Sequence, residues 1–482
     1  MRRAAIVARV IGVLLMLFSV LLLVPVALAV PLGEPTWFAF LVAFVASIGI
    51  GGTLWLVGRG RGELRARDGF LVTVLFYLGL GLVGALPFWL APSPTVSFTD
   101  AAFESLSGLT TTGATVLIGL DDMPRSILLY RHLLQWLGGM GIIVLAVAVL
   151  PMLGVGGMQL YRSEAPSYAK DTKLTPRIAE TAKTLWYIYI GLTAICAACY
   201  AVAGMGLFDA VCHALSTVAI GGFSTHDASM GHFDSVAIEG VAIVFMTLSG
   251  VNFALHFAAM TQRSLRLYAR DEELRFYLAV LATVAVAVIA TLLLHPGASD
   301  NPVREGLFQV VSVATTTGFT TADFSLWPAL APVLLLFAAF AGGCAGSTAG
   351  GLKQYRVLLI CRQGLREVRR LIHPNGVFHI KLGQQFVPDR IVDAVWGFFA
   401  VYVVAFLFLL CVLLAVSELD FVTGFSAVAA NLNNLGPGLG EVALNYRSVP
   451  DAGKWLLVVA MLLGRLEIFT LLVLLTPAYW RN

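Results

Sequence analysis

Apolar residues along this chain gather into long unbroken runs, and the polar residues are confined to the connections between them. A helix rises about 1.5 Å per residue, so roughly 20 consecutive apolar residues cross the ~30 Å hydrocarbon core of a bilayer. Ten runs reach that length, near residues 6 to 30, 36 to 57, 69 to 91, 127 to 151, 184 to 206, 237 to 260, 276 to 295, 328 to 361, 392 to 416 and 454 to 478. They predict an all-α polytopic membrane protein. Four of the connections are much longer than turns, and each holds a half-length apolar stretch, too short to cross and suited to a re-entrant segment.

Composition agrees with this reading: of 482 residues 59% are hydrophobic and 12% charged, and the mean hydropathy is +0.86. Such a chain is not a soluble enzyme or a nucleic-acid-binding protein. No His, Asp and Ser constellation and no metal-ligand spacing points to catalysis or to a resident cofactor. The six cysteines are scattered, and Cys196 and Cys199, although a C-x-x-C, sit inside a span as small hydrophobes. The first run follows Arg2 and Arg3 and ends in Ala27-Leu28-Ala29, which raises a signal peptide. Its apolar part exceeds the usual h-region of about 7 to 15 residues, so a retained span is expected.

Charge sets the orientation. Basic residues collect in alternate connections: Arg59, Arg61, Arg65 and Arg67; Arg162, Lys170, Lys173, Arg177 and Lys183; Arg263, Arg266, Arg270 and Arg275; and Arg362, Arg366, Arg369, Arg370 and Lys381. By the positive-inside rule these face the cytoplasm, as do Arg2, Arg3 and Arg481 and hence both termini. The opposite connections carry Asp100, Glu104, Asp121 and Asp122, then Asp209, Asp227 and Asp234, then Asp300, Glu305 and Asp323, then Glu418, Asp420, Glu441 and Asp451. An acidic outer face concentrates cations.

Those outer connections align with one another. The first reads Leu109-Thr110-Thr111-Thr112-Gly113, the second Val218-Ala219-Ile220-Gly221-Gly222, the third Ala314-Thr315-Thr316-Thr317-Gly318 and the fourth Leu432-Asn433-Asn434-Leu435-Gly436. Each extended piece follows a short apolar run, and each copy is bracketed by full spans. Irregular backbone at membrane depth survives only when buried in protein or lining a watery cavity. Four such pieces therefore predict a shared axis, around which backbone carbonyls replace the hydration shell of K⁺. Glycine at the matched position reaches conformations closed to other residues and leaves the axis clear.

At these residues the chain resembles the Trk/Ktr/HKT superfamily of cation transporters, and within it the TrkH/TrkG branch of bacterial K⁺ uptake proteins. The likeness extends to Trp136-Leu137-Gly138-Gly139-Met140-Gly141, to Ala219 through Asp227, to Gly342 through Lys353, to Asn433 through Gly440 and to Leu174 through Glu180. It implies that main-chain oxygens of Thr111, Thr112 and Gly113, of Ile220, Gly221 and Gly222, of Thr316, Thr317 and Gly318, and of Asn434, Leu435 and Gly436 form a K⁺ filter. Plant relatives that prefer Na⁺ carry Ser at the first filter glycine, where this chain has Gly113. The resemblance further implies two N-terminal helices in residues 1–60, then pore repeats in 61–160, 161–262, 263–372 and 373–482. It implies a homodimer in the bacterial inner membrane, gated by cytoplasmic TrkA-type nucleotide-binding subunits.

Two features suggest a gate. The run from Pro328 to Cys361 is 34 residues, which as one helix would be about 50 Å, more than the membrane needs. Its middle, Gly342, Gly343, Gly346, Ser347, Thr348, Gly350 and Gly351 leading to Lys353, is a poor helix interior, since each Gly costs about 1 kcal/mol against Ala, and a break is expected. A P-loop is excluded because Lys353 does not directly follow the last glycine; a helix-packing surface remains the alternative. Arg465 falls in the middle of the last span, too deep to snorkel, and should face the pore or pair with another span. Glu467 points to a different face. In the family the glycine-rich loop obstructs the pore beneath the filter and the arginine is a positive barrier. Asn252 and His256 read as packing groups. The rival to a channel-like path is a symporter moving K⁺ with H⁺ or Na⁺.

Overall fold

The computed structural model describes residues 2–58, 68–144, 178–383 and 385–481. Arg59, Arg61, Arg65, Arg67, Arg162, Lys170, Lys173 and Arg177, and most of the Leu174–Glu180 motif, lie outside the described residues. Two apolar helices, α1 (Arg2–Leu32) and α2 (Trp37–Val57), form an antiparallel pair. They approach so closely that a Cβ on Gly12 would sit 2.5 Å from the Gly51 carbonyl oxygen, a contact open only to glycine.

The rest of the chain runs through one order four times: a long helix, a helix that stops halfway, an extended stretch and a returning helix. In the first copy these are α3 (Asp68–Gly84) with its continuation α4 (Leu86–Leu90), then α5 (Phe98–Leu109) and α6 (Arg125–Val144). The second has α7 (Ile178–Val202), α8 (Leu207–Ala219), α9 (Val236–Ser249) and α10 (Phe253–Thr261), and the small α11 (Arg266–Arg270) leads out of it. The third has α12 (Glu272–Leu294), α13 (Pro302–Ala314), α14 (Leu330–Ala341) and α15 (Gln354–Ile372), followed by a two-residue hairpin, β1 (Lys381–Leu382) with β2 (Gln385–Phe386). The fourth has α16 (Asp389–Val416), α17 (Phe421–Leu432), α18 (Asp451–Arg465), α19 (Phe469–Leu475) and the terminal turn α20 (Pro477–Trp480).

Local sequence starts these helices where they are needed. Ser97 caps α5 by accepting from Asp100 N–H at 3.1 Å, Asp420 caps α17 by accepting from Val422 N–H at 2.9 Å, and Asp271 caps α12 through Leu274 N–H at 2.7 Å. Proline at the first position opens α13. Six helices among the described residues are long and apolar enough to cross a membrane. Their outward faces leave large apolar side chains uncovered, among them Phe38, Val202, Val286 and Phe408, as a lipid-facing surface requires.

Among the described residues, three of the returning helices are broken. The break after α14 is the expected one. The run 237 to 260, expected as one span, bends by 90° between α9 and α10, where Asn252 caps the second piece through Ala254 N–H at 2.8 Å. The run 454 to 478 likewise bends by 114° between α18 and α19. Arg465 is thus the last residue of a helix and not the middle of one. Hydropathy registers how apolar a run is, not its direction, so neither bend left a mark in it.

Candidate functional site

The half-length helices α5, α8, α13 and α17 all end in the same turn. Just past each, one residue takes left-handed φ (Thr111 +54°, Ile220 +54°, Thr316 +65°, Asn434 +54°), and two positions on a glycine does so again (Gly113 +78°, Gly222 +77°, Gly318 +86°, Gly436 +94°). A common hydrogen bond closes the turn: Thr112 N–H donates to Ser107 O at 2.9 Å, Gly221 N–H to Ser216 O at 2.9 Å, Thr317 N–H to Ser312 O at 2.8 Å and Leu435 N–H to Ala430 O at 2.8 Å. The N–H groups are spent on the helix ends. Among the described residues no donor reaches the carbonyls of Thr111, Thr112, Thr316 or Thr317, although all four residues are buried. Buried carbonyls without donors mark a place where something else supplies the partner.

The four stretches close into a ring. A Cβ on Gly113 would collide with the Gly221 carbonyl oxygen, one on Gly222 with that of Thr317, one on Gly318 with that of Leu435, and one on Gly436 with that of Thr112. Copy one meets two, two meets three, three meets four, and four returns to one. The helix C-termini converge on this ring and bring the negative ends of their dipoles to it, which favours a cation.

Behind the ring stands a buried ion pair. Arg131 Nε lies 2.7 Å from Glu104 Oε1, with side chains 1% and 0% exposed. The guanidinium also donates to Ser224 O at 3.0 Å and Thr115 Oγ1 at 3.1 Å and lies over the Phe223 ring at 4.1 Å. One arginine thereby holds the stretches of copies one and two. Glu104, expected on the acidic outer surface, is instead a structural anion, and the sequence signal for its partner was Arg131, a charge inside the run 127 to 151. Gln135, one turn further along α6, donates from Nε2 to Gly221 O at 2.5 Å and accepts from Phe223 N–H at 3.1 Å.

On one side of the ring lies the loop between α14 and α15. Gly350 N–H donates to Thr316 Oγ1 at 2.7 Å, Gly351 N–H to Asn433 O at 3.2 Å, and Thr348 Oγ1 to Val218 O at 3.0 Å. The loop therefore touches the ends of three half-length helices at once. It is pinned by Cys344 N–H to Gly250 O at 2.8 Å, Phe253 N–H to Gly346 O at 3.0 Å, and Glu273 Oε1, which accepts from Ala345 N–H at 2.6 Å and Tyr355 N–H at 3.1 Å. Ser347 Oγ bonds Cys344 O at 2.6 Å, Gln354 Nε2 bonds Gly342 O at 2.7 Å, Gln354 N–H bonds Gly343 O at 2.9 Å, and Lys353 Nζ donates to Ala349 O. Arg465 reaches across from α18: Nη1 donates to Thr348 O at 3.1 Å and Nη2 to Gly138 O at 2.6 Å and Gly139 O at 3.3 Å. Its partners are backbone carbonyls, while Glu467 pairs with Arg356 at 2.5 Å. His256 bonds Tyr268 Oη at 2.8 Å and Leu248 O at 3.0 Å and has no place in the ring.

The opposite side of the ring opens into a vestibule lined by Gly113, Gly222, Gly318 and Gly436 together with Arg131 and His226. Asp227 accepts from Gly119 N–H at 2.9 Å and Leu120 N–H at 3.2 Å, tying the outer loops of copies one and two.

A fourfold ring of backbone carbonyls, of which those of Thr111, Thr112, Thr316 and Thr317 meet no donor among the described residues, with a loop on one side and a vestibule on the other, is the arrangement of a cation pathway. The TrkH family model, described as a cation transport protein, matches residues 37–481. The chain belongs to this family. It is 53% identical over 482 residues to the Trk system potassium uptake protein TrkH of Vibrio parahaemolyticus, covering 99% of both chains. It is 52% identical over 479 residues to TrkH of Escherichia coli K12, with 99% coverage of each, and 41% identical over 474 residues to the Trk system protein TrkG of the same organism, covering 98% of this chain and 97% of that one. The crystal structure of the potassium transporter TrkH from Vibrio parahaemolyticus superposes with a TM-score of 0.90 at 50% identity, covering all of both chains. Membership of a cation transporter family fits the polytopic fold, and the family is not an enzyme family.

Proposed function

We propose that this chain is the pore-forming subunit of a potassium uptake system, with the ring as its selectivity filter and the loop between α14 and α15 as its gate. The observation that carries the reading is the closed ring. The carbonyls of Thr111, Thr112, Gly113 and their counterparts take the place of water around a dehydrated K⁺. Four separate strands, each anchored by its own helix end, hold them at a spacing that side chains would disturb. The relatives' names supply the ion. The symmetry-related copies correspond to residues 61–160, 161–262, 263–372 and 373–482, preceded by the α1 and α2 pair.

In the closed state Gly342 to Lys353 lies across the path beneath the filter, and Arg465 adds a positive charge there. Opening moves the loop away from Thr316, Asn433 and Val218. The basic residues of α15, continuous with the loop, lie on the cytoplasmic side by the charge rule, where TrkA-type nucleotide-binding subunits act on the gate. The protein works as a homodimer in the bacterial inner membrane, one pore per subunit. The test is K⁺ flux in proteoliposomes under an imposed K⁺ gradient, with and without a pH or Na⁺ gradient. Flux that follows the K⁺ gradient alone is expected; flux obligatorily coupled to H⁺ or Na⁺ would refute the channel-like path.

A further inference from the structure

Loops of the first two copies bring three metal-binding side chains together at the rim of the vestibule. Asp121 belongs to the short turn Leu120–Asp122 after the first ring stretch; His226 precedes the turn Ser229–Phe233 after the second, and His232 lies within it. One ligand atom from each lies within 4.8 Å of the others. His226 Nδ1 is 2.5 Å and His232 Nδ1 3.9 Å from the same oxygen, Asp121 Oδ1. The two imidazoles stack with centroids 3.5 Å apart and planes 3° apart, so both present a nitrogen to one carboxylate.

A second observation stands on the far side of His226. Its Nε2 is buried without a hydrogen bond and faces Asp209 Oδ1 at 3.8 Å, and that carboxylate oxygen is fixed by Thr225 Oγ1 at 2.8 Å. Metal-bound imidazoles turn their second N–H toward such a carboxylate, which sets the ring's orientation and strengthens it as a ligand. The loops are also braced without the three residues: Asp227 binds Gly119 and Leu120, and Gly231 N–H donates to Thr320 O at 3.1 Å.

We propose that Asp121, His226 and His232 form a binding site for a borderline divalent transition-metal cation, with Zn²⁺ as the reference ion, and that its occupancy restricts entry to the ring. Two imidazoles and one carboxylate with a fourth position left to water are a donor set Zn²⁺ takes, with bonds of about 2.0 to 2.2 Å. Hard cations such as Mg²⁺ prefer all-oxygen sites. As a metal ligand His226 is a neutral imidazole, with Nδ1 free for the metal and its one ring proton on Nε2 toward Asp209. Donors around a tetrahedral Zn²⁺ lie about 3.4 Å apart, so His226 and Asp121 separate slightly while His232, with a 45% exposed side chain, swings in. His226 lines the same vestibule as the ring glycines, so a bound dication places positive charge where the transported cation enters. The effect on flux rests on the potassium reading above; the binding does not.

Full-length protein in detergent, stripped with chelator, is titrated with Zn²⁺ by calorimetry, and K⁺ flux is measured in proteoliposomes with Zn²⁺ or Mg²⁺. Saturable Zn²⁺ binding is expected, weakened about ten-fold or more in both His232→Ala and His232→Gln, each checked for native melting. Zn²⁺ should lower flux where equimolar Mg²⁺ does not, and the ratio of flux with and without Zn²⁺ should approach unity in those variants. No saturable binding, or binding unaltered by either substitution, overturns the site. Binding without inhibition, or equal inhibition by Mg²⁺, overturns the effect on entry. Binding as expected in a preparation that passes no K⁺ supports the site and counts against the potassium reading.

Discussion

Replacing Arg465 with alanine should raise the open fraction of the pore. Arg465 makes three backbone contacts, to Thr348 O, Gly138 O and Gly139 O, and only the first belongs to the loop beneath the ring. A hydrogen bond to a charged group contributes about 1.5–3 kcal/mol. Removing the one that reaches Thr348 destabilises the plugged position by that amount relative to any displaced one. At about 1.4 kcal/mol per factor of ten, the open-to-closed ratio rises roughly 10- to 150-fold. The loop keeps Gly350 to Thr316, Gly351 to Asn433 and Thr348 to Val218, so the gate is loosened and not abolished. Loss of the positive charge lowers the barrier to a passing cation in the same direction. Arg465→Lys separates the two effects, because it keeps the charge but replaces a planar fork with a single nitrogen. The assay is single-channel recording without regulatory subunits, alongside thermal melting. Native melting with unchanged or lower open probability in Arg465→Ala would refute the latch and make the residue a structural brace.

Other expectations follow from the same geometry. Gly113→Ser forces a side chain into left-handed φ against the Gly221 carbonyl; the K⁺ over Na⁺ permeability ratio should fall, as reversal potentials in mixed salts would show. Gly350→Ala sets a Cβ against Asn433 O and should displace the loop, raising flux in vesicles; lower flux would argue against a gate there. Glu104→Gln leaves the Arg131 cation buried without its counter-ion, and breaking such a pair costs about 3–5 kcal/mol, readable as a lower melting temperature, with Ala at both positions recovering part of the loss. The Thr423 hydroxyl beside Asp420, helped by the backbone N–H groups of Thr423 and Val422, holds its carboxyl below the usual aspartate range. A depressed folded value gives stability that is present at neutral pH and lost as pH falls through that range. Melting curves should lose this acid-side dependence in Asp420→Asn.

The four copies were legible because a glycine recurs at one offset from a short apolar run, and the structure puts left-handed φ at each of those glycines. The break after α14 was legible because five glycines crowd into Gly342 to Gly351. The bends after Ser249 and after Arg465 were not, since Asn252, Arg465 and Glu467 read equally well as polar residues inside a straight span and the turn is set by contacts such as Phe253 N–H to Gly346 O. The Glu104–Arg131 pair was hidden for a related reason: a charge in a connection looks alike whether it faces water or a partner 27 positions away.

Sequence alone determined the class of molecule, the repeat and the place of the glycines, because run length, loop charge and backbone freedom are local properties. Tertiary structure decided that copy four closes on copy one, that the loop of copy three sits under the ends of α8, α13 and α17, and that Arg465 bridges that loop to α6. These contacts join residues far apart in the chain, from Gly350 and Thr316 within copy three to Gly436 and Thr112 in copies four and one. Such contacts depend on the packing of whole helices around an axis, and no local pattern encodes which carbonyl a given side chain will meet.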